Sequence, residues 1–280
     1  MVFQFSHVTA FWDAKLGKWK PGPIAWPRLK TLLATWQQAL HDRGWNALFW
    51  GNHDLPRAVS RYGHEGEHRV ASAKALATVL HLMQGTPYIY QGEEIGMTNA
   101  HFSRIDQYRD LETLNLHRIQ LAQGMAEAEF LAGARANSRD NARTPMQWTS
   151  GPQAGFTSGT PWLAVNANHV TINVERDRAD RDGVFERYRR LIALRRDHAI
   201  VRHGDFRLLL PEHEAIFAYE RRLDGQVLLV LANMSDRDVT LPPAGVPARR
   251  GRDLLTGRLV ATAAGTSLPP FAALALLGQG

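Results

Sequence analysis

The sequence predicts an α/β fold, in which parallel strands alternate with helices, followed by an all-β domain. Three short apolar runs alternate with two segments of helical periodicity before residue 92, which is the pattern of consecutive βαβ units. Beyond residue 200, short apolar runs are divided by Asp-Gly, Pro-Pro and Thr-Gly turns, as in antiparallel sheets. We therefore divide the chain into an α/β domain over 1–199 and an all-β domain over 200–280.

Hydrophobic spacing places the elements of the first domain. The predicted strands lie at 1–5, 46–50 and 87–90. Apolar residues recur at helical spacing over 29–40, 70–83 and 184–197. Between Gly92 and Arg181 the pattern predicts a long loop with one helix over 110–123, and a loop of this length usually carries function. The predicted strands of the second domain lie at 215–219, 227–232, 239–241 and 271–277.

Composition limits the classes of function. No run approaches the roughly 18 apolar residues of a membrane span, and the start of the chain does not resemble a signal peptide. With no cysteine, the chain forms no disulfide, and we predict a cytoplasmic protein. Although the net charge is +6, the arginines are spread along the chain, so we predict no nucleic-acid and no membrane partner. Four of the lysines fall in the first thirty residues beside two tryptophans, a cluster that suits a phosphate.

The most informative segment runs from Ala47 to Arg57. An apolar run there delivers Asn52, His53 and Asp54 into a loop that opens on a proline. In a (β/α)₈ barrel the reactive groups lie at the carboxyl ends of the strands, so we expect this His-Asp pair to face a substrate. The alternative is that Asp54 caps the turn that follows it.

Three ordered motifs carry a resemblance to a known family. The segment Asn52-His53-Asp54 with Pro56 and Arg57 resembles the fourth signature region of the α-amylase clan, glycoside hydrolase family 13. Gln84 to Asn99 resembles the eighth strand and following loop of its α-glucosidase branch, and Ser138 to Trp148 resembles the long loop beyond. Three motifs in this order make chance resemblance improbable, and the resemblance covers essentially the whole chain.

The resemblance implies the carboxyl-terminal portion of a (β/α)₈ TIM barrel, its last three strands, followed by a small all-β sandwich domain. A complete barrel needs eight strands and about 250 residues. In the family, the nucleophilic Asp and the acid/base Glu follow the fourth and fifth strands, and residue 1 here matches the start of the sixth. We therefore expect a truncated chain that is inactive alone. An unpaired barrel edge favours self-association or pairing with a missing amino-terminal half.

The resemblance also assigns roles to residues. Asp54 corresponds to the catalytic residue that stabilises the transition state of retaining glycoside hydrolysis, and His53 to a hydrogen-bonding partner of the same sugar. A fixed anion beside a ring that develops positive charge stabilises the transition state more than the ground state. Arg143 corresponds to the contact with the outer hydroxyls of the terminal glucose. The alternative role for Arg143 is an internal salt bridge to Asp140 or Glu93.

Other charged residues are predicted to support the site or to have no role in it. We expect Arg57 and Arg139 to be scaffolding, and Glu93 and Glu94 to be acceptors that fix their loop.

The histidines predict no metal site, and no cofactor is expected. His64 and His68 have the i, i+4 spacing of a zinc helix, but Gly66 between them disfavours a helix. We expect a solvated helix start at this point.

Within the family, the resemblance is closest to the trehalose-6-phosphate hydrolases, which release glucose and glucose 6-phosphate. The predicted partner is thus a small glucoside, phosphorylated or not. Lys18 is the main candidate for the phosphate, with Lys15 and Lys20 behind it. Leu55 and Gly51 depart from the family pattern, so two alternatives stay open: an oligo-1,6-glucosidase or other neutral α-glucosidase, and a non-catalytic truncated remnant that binds a partner or sugar.

Overall fold

The structure is a computed structural model and describes residues 1–280. In chain order, its strands are β1 (Val2–Phe3), β2 (Trp12–Asp13), β3 (Gly17–Pro21), β4 (Asn46–Leu48), β5 (Thr86–Pro87), β6 (Asp205–Leu209), β7 (Ile216–Leu223), β8 (Gln226–Asn233), β9 (Val239–Thr240), β10 (Arg249–Asp253), β11 (Leu259–Thr262), β12 (Ser267–Leu268) and β13 (Ala273–Gln279). Its helices are α1 (Ser6–Thr9), α2 (Trp26–Leu40), α3 (Ala58–Tyr62), α4 (Arg69–His81), α5 (Leu111–Ala122), α6 (Glu127–Asn137), α7 (Asp140–Arg143), α8 (Val174–Ala179), α9 (Val184–Asp197) and α10 (Ala199–His203). No helix is both long and apolar enough to cross a membrane.

Three parallel strands form the sheet of the first region, in the order β1-β4-β5. The helices α2 and α4 connect them in succession, which is the predicted βαβ arrangement. The central strand β4 is buried throughout, as expected for a parallel strand covered on both faces. The predicted class, part of a TIM barrel followed by an all-β domain, is confirmed.

The segment predicted as a long loop with one helix contains three more helices, α6, α7 and α8. The helix α6 was missed because only a narrow stripe of it is apolar and a glycine lies in its middle. That stripe, which includes Phe130 and Ala134, packs into a cluster with Phe102 and Tyr108. The glycine, Gly133, is required because any side chain there would collide with the backbone of Trp19.

The second region is an antiparallel sheet of six strands in the order β11-β10-β13-β8-β7-β6. A second sheet of two strands, β9 and β12, contributes Leu241 and Leu268 from its ends to a core shared with the larger sheet. The strands β6, β10, β11 and β12 were not predicted. Three of the five residues of β10 are arginines, which hides the apolar alternation of a strand, and β10 approaches β13 closely at Gly251, where a Cβ would lie 2.5 Å from the Leu277 carbonyl oxygen.

The two regions share one core rather than touching at a surface. The Tyr219 hydroxyl donates to the Val79 carbonyl at 2.8 Å, and the buried Arg221 guanidinium donates to the Leu82 carbonyl at 2.9 Å. Lys30, which the sequence placed in a lysine cluster suited to a phosphate, is instead fully buried on α2. Its ammonium donates to three carbonyls at 2.6–2.9 Å, those of Leu210, His213 and Ile216. It therefore links α2 to the β domain.

Candidate active site

The loop after β4 presents the His-Asp pair. Buried aromatic residues anchor its start, with the Trp50 indole donating to the Leu76 carbonyl at 2.8 Å. The Asn52 side chain accepts from the Asp54 amide at 2.8 Å, which closes the turn. Asn52, rather than Asp54, thus supplies the carbonyl that fixes this turn, and the Asp54 carboxylate is left for other partners.

Asp54, His53 and Arg143 lie together at the carboxyl end of the parallel sheet. The Arg143 Nη2 atom donates to Asp54 Oδ1 at 2.6 Å, and its Nε atom donates to the His53 carbonyl at 2.8 Å. The His53 Nε2 atom lies 3.3 Å from Asp54 Oδ2. The side chains of His53 and Asp54 are 69% and 46% exposed, so this cluster faces solvent and is accessible to a ligand.

A buried carboxylate supports this cluster from behind. Asp110 caps the start of α5, accepting from the amide and hydroxyl of Thr113. Its Oδ1 atom lies 2.6 Å from Arg139 Nη2 and 3.7 Å from Arg143 Nη1. Although burial acts to raise the pKa of Asp110, the hydrogen bonds from Arg139 and Thr113 outweigh it, and the pKa falls below its usual value. Asp110 is therefore an anion between two arginines.

Arg139 connects this arrangement to Lys18. It was predicted to be scaffolding, but its Nη1 atom lies 3.6 Å from Asp54 Oδ1 and its Nε atom lies 3.4 Å from Glu112 Oε2. The Lys18 ammonium contacts the same Glu112 oxygen at 2.5 Å. Three cations and three carboxylates thus form what we name the charged network: Lys18, Arg139, Arg143, Asp54, Asp110 and Glu112.

The sequence did not identify Asp110 or Glu112 as parts of the site. One signal was present, because both open the helix predicted over 110–123, and carboxylates are common in a first helical turn. Their arginine and lysine partners are 29 and 94 residues away along the chain, so spacing does not reveal them.

Arg143 pairs with neither of the alternative partners considered from the sequence. Asp140 instead accepts from the backbone amides of Arg109 and Asp110, at 2.6 and 2.9 Å. Arg57 lies apart from the network and is buried. It donates to the carbonyls of Gln91 and Asn141 at 2.5 and 3.1 Å, which joins two loops.

The adjacent glutamates have different surroundings. Glu94 accepts from the Gly92 amide at 2.7 Å and fixes its own loop. Glu93 is buried beneath the loop that carries Asp54, and a Cβ at Gly51 would lie 3.1 Å from its Oε1 atom. Burial and, secondarily, the charge of Glu94 raise the pKa of Glu93 to about 8, against the opposing effect of Arg57.

The structure divides the predicted lysine cluster. Lys18 lines a cavity of about 10 Å³ with Asp54, which holds about one water and no sugar. A sugar would therefore have to contact Asp54 from its solvent side. Lys15 and Lys20 line a different cavity, together with residues of α5 and α6. His64 and His68 lie before α4 and pack near Phe271, outside the cluster around Asp54.

The comparisons with known proteins agree with this architecture. The model of the alpha amylase catalytic domain matches residues 1–204, and that of the maltogenic amylase C-terminal domain matches residues 206–274. An oligo-1,6-glucosidase of Halalkalibacterium halodurans is 51% identical over 237 residues, which are 85% of this chain and 42% of that protein. A trehalose-6-phosphate hydrolase of Escherichia coli is 52% identical over 235 residues, 84% of this chain and 42% of that protein.

Solved structures extend the match to the whole chain. The crystal structure of a Bacillus licheniformis trehalose-6-phosphate hydrolase is 41% identical, with a TM-score of 0.91, over 100% of this chain and 51% of the other. The chain thus spans about half the length of the relatives it matches, corresponding to their carboxyl-terminal part. With one family model covering the α/β region and a second covering most of the β domain, the chain belongs to the α-amylase family, glycoside hydrolase family 13.

Proposed function

We propose that this chain forms the sugar-binding and charge-stabilising side of an α-glucosidase that cleaves small glucosides with retention of configuration. The observation that carries the proposal is the cluster of Asp54, His53 and Arg143 at the end of β4, open to solvent and backed by Asp110. Charged groups held by fixed partners need little rearrangement when the transition state forms.

Each residue of the cluster has a proposed role. The exposed Asp54 oxygen stabilises the positive charge that develops on the glucosyl ring and accepts from its hydroxyls. His53 hydrogen-bonds the same sugar, and Arg143 uses its remaining donors to orient adjacent hydroxyls while it holds Asp54 in place.

Retaining hydrolysis also needs a nucleophilic carboxylate and an acid/base carboxyl about 5 Å apart. Asp110 and Glu112 are engaged by arginine and lysine, which makes them poor candidates for these roles. We propose that a segment equivalent to the amino-terminal half of the relatives supplies both groups and pairs with the edge of the parallel sheet. The chain alone is then inactive.

For the substrate, we propose trehalose 6-phosphate, with Lys18, which lines the small cavity beside Asp54, as the residue that contacts the phosphate. Oligo-1,6-glucosides are the second candidate, and the Lys18–Glu112 ion pair favours them because it already neutralises the ammonium. A phosphorylated sugar substrate agrees with the cytoplasmic location that we propose from the lack of cysteine.

Fusion of this chain to an amino-terminal half tests the proposal. The matching half of the Escherichia coli relative would be joined to this chain, and kcat/KM measured for trehalose 6-phosphate and isomaltose. We expect activity only in the joined protein, and a loss of at least about 10³-fold in Asp54→Asn, typical of a lost transition-state contact. Turnover by the chain alone, or full activity of Asp54→Asn, would contradict it.

The substrate is tested separately by Lys18→Ala in the joined protein. If Lys18 contacts the phosphate, kcat/KM should fall about tenfold for trehalose 6-phosphate and stay unchanged for isomaltose. An equal effect on both substrates favours the neutral glucosidase. A joined protein that folds but binds neither substrate favours the non-catalytic alternative.

A further inference from the structure

A second cavity lies beside the β2–β3 hairpin, separate from the small cavity that Asp54 lines. Its volume is about 420 Å³, within the range of small-molecule sites. It is bounded by the hairpin and by the helices α5 and α6, and it shares no lining residue with the small cavity beside Asp54. The roles proposed above for the cluster around Asp54 make no use of it.

One wall of this cavity is apolar and rigid. The Trp19 ring stacks on Phe130 with centroids 5.3 Å apart and planes inclined by 22°, and Leu116 and Met125 continue the surface. The close approach of α6 to the hairpin at Gly133 fixes the spacing of the two walls. A flat apolar group can therefore contact this wall without rearrangement.

The rim of the cavity carries two exposed lysines. Lys15 and Lys20 are exposed, and neither ammonium has a hydrogen-bonding or ion-pairing partner in the chain. The nearby Asp13 carboxylate accepts from the backbone amides of Lys15 and Leu16 at 2.8 Å each, and it interacts electrostatically with both lysines without an ion-pair contact. Glu129 is the one carboxylate of the lining, so two cations face one anion across the cavity.

We propose that this cavity is a second binding site, for an organic anion with a flat apolar body. The body lies against Trp19, and the anionic group, a phosphate or a carboxylate, lies between Lys15 and Lys20. Apolar contact with a rigid wall provides affinity, while the two unpaired ammonium groups select for charge. The site is independent of the proposed hydrolytic function.

Calorimetric titration with three probes tests the proposal: 1-naphthyl phosphate, 1-naphthol and inorganic phosphate. We expect 1-naphthyl phosphate to bind at least tenfold more tightly than either of the others, since only it offers both contacts. The double variant Lys15→Ala/Lys20→Ala should raise its Kd about tenfold. Lys74→Ala, a lysine paired with Asp182 on another face, should leave the Kd unchanged.

Two tryptophan substitutions on α6 locate the site. Ala132 is exposed and lines the cavity, so Ala132→Trp should fill it and abolish binding. Ala128 is exposed on the same helix and does not line the cavity, so Ala128→Trp should bind like the parent. Equal binding of 1-naphthol, unchanged affinity in the lysine double variant, or binding that survives Ala132→Trp would each overturn the proposal.

Discussion

At the scale of single residues, Asp54 illustrates how a carboxylate is kept both fixed and available. One of its oxygens accepts from Arg143, and the side chain is still 46% exposed. The positive charge beside it is balanced from behind by Asp110, which is 1% exposed and holds both arginines. Because every buried charge has a partner, the cluster avoids the cost of an unpaired ion.

Glu93 differs from the paired charges around Asp54, because its burial favours the protonated carboxyl group. We therefore expect the stability of the chain to depend on pH through Glu93. Its pKa is raised to about 8, so between about pH 4.5 and 8 the unfolded chain releases a proton that the folded chain keeps. Glu93 therefore lowers stability as the pH rises through that window. We expect Glu93→Gln to remove this slope, so that its free energy of unfolding rises relative to the parent by about 3 kcal/mol between pH 5 and pH 8.

Urea denaturation of Glu93→Gln and of the parent at both pH values would measure the difference. Taking the difference cancels the other titrating groups, among them the buried His7 and His81, whose pKa values burial lowers to about 4. Parallel stability profiles of variant and parent would contradict the prediction.

At the scale of elements, the helices pack on the β domain through buried polar contacts as well as apolar ones. The three carbonyls that Lys30 binds all lie between the end of β6 and the start of β7. The ammonium is a rigid cross-link because each of its three hydrogens has an acceptor.

Lys30→Met should therefore lower the free energy of unfolding by about 3 kcal/mol, because it keeps the volume and leaves three carbonyls without this donor. Lys74→Met, which removes the ion pair with the exposed Asp182, serves as the control and should cost less than about 1 kcal/mol. Chemical denaturation of both variants would provide the comparison, and similar losses in the two would refute the cross-link.

The pairing of β4 with β5 requires a glycine at position 85, just before β5. Its φ is +137°, and a Cβ there would collide with the Asn46 carbonyl. We expect Gly85→Ala to cost about 3 kcal/mol or more, from strain and displaced strands. Gly265 also has a positive φ, +84°, but a Cβ there would have no atom within 4 Å. Gly265→Ala should therefore lower the free energy of unfolding only by the cost of a positive φ in a residue with a side chain, about 1 kcal/mol. Equal melting temperatures for the two variants would contradict this account.

At the scale of the whole molecule, an exposed aromatic patch lies at the β1 edge of the parallel sheet. Phe3 and Phe5 are 49% and 46% exposed, and they pack with Phe49 and Tyr88 at centroid distances of 4.7–5.9 Å. Parallel sheets in α/β proteins are covered on both faces, so this surface is expected to bind another polypeptide.

In the absence of another segment, we expect the chain to self-associate through this patch. Light scattering at micromolar concentrations should give a mass above that of the 31.4 kDa monomer. The double variant Phe3→Ser/Phe5→Ser should shift it towards the monomer, whereas Phe156→Ser, 50% exposed on a distant loop, should not. A monodisperse monomer of the parent would count against self-association.

The elements themselves were predictable from the sequence where local periodicity is strong. The helix over Val184–Asp197 has the predicted bounds, and the His-Asp pair follows a buried strand as expected. The helix α6 escaped prediction because its packing on Trp19, 114 residues away from its centre at Gly133 (133 − 19), is what stabilises it. The local hydrophobic pattern of the sequence thus identifies a helix only when the apolar face of that helix is broad.

The sequence by itself determined the fold class, the family and the position of Asp54 at the end of a parallel strand. Only the tertiary structure decided which charges meet. It paired Lys18 with Glu112 and Arg143 with Asp54, buried Lys30, and placed Lys15 and Lys20 on a separate cavity. The physical reason is that periodicity and turn chemistry act over a few residues, whereas an ion pair depends on where distant segments pack.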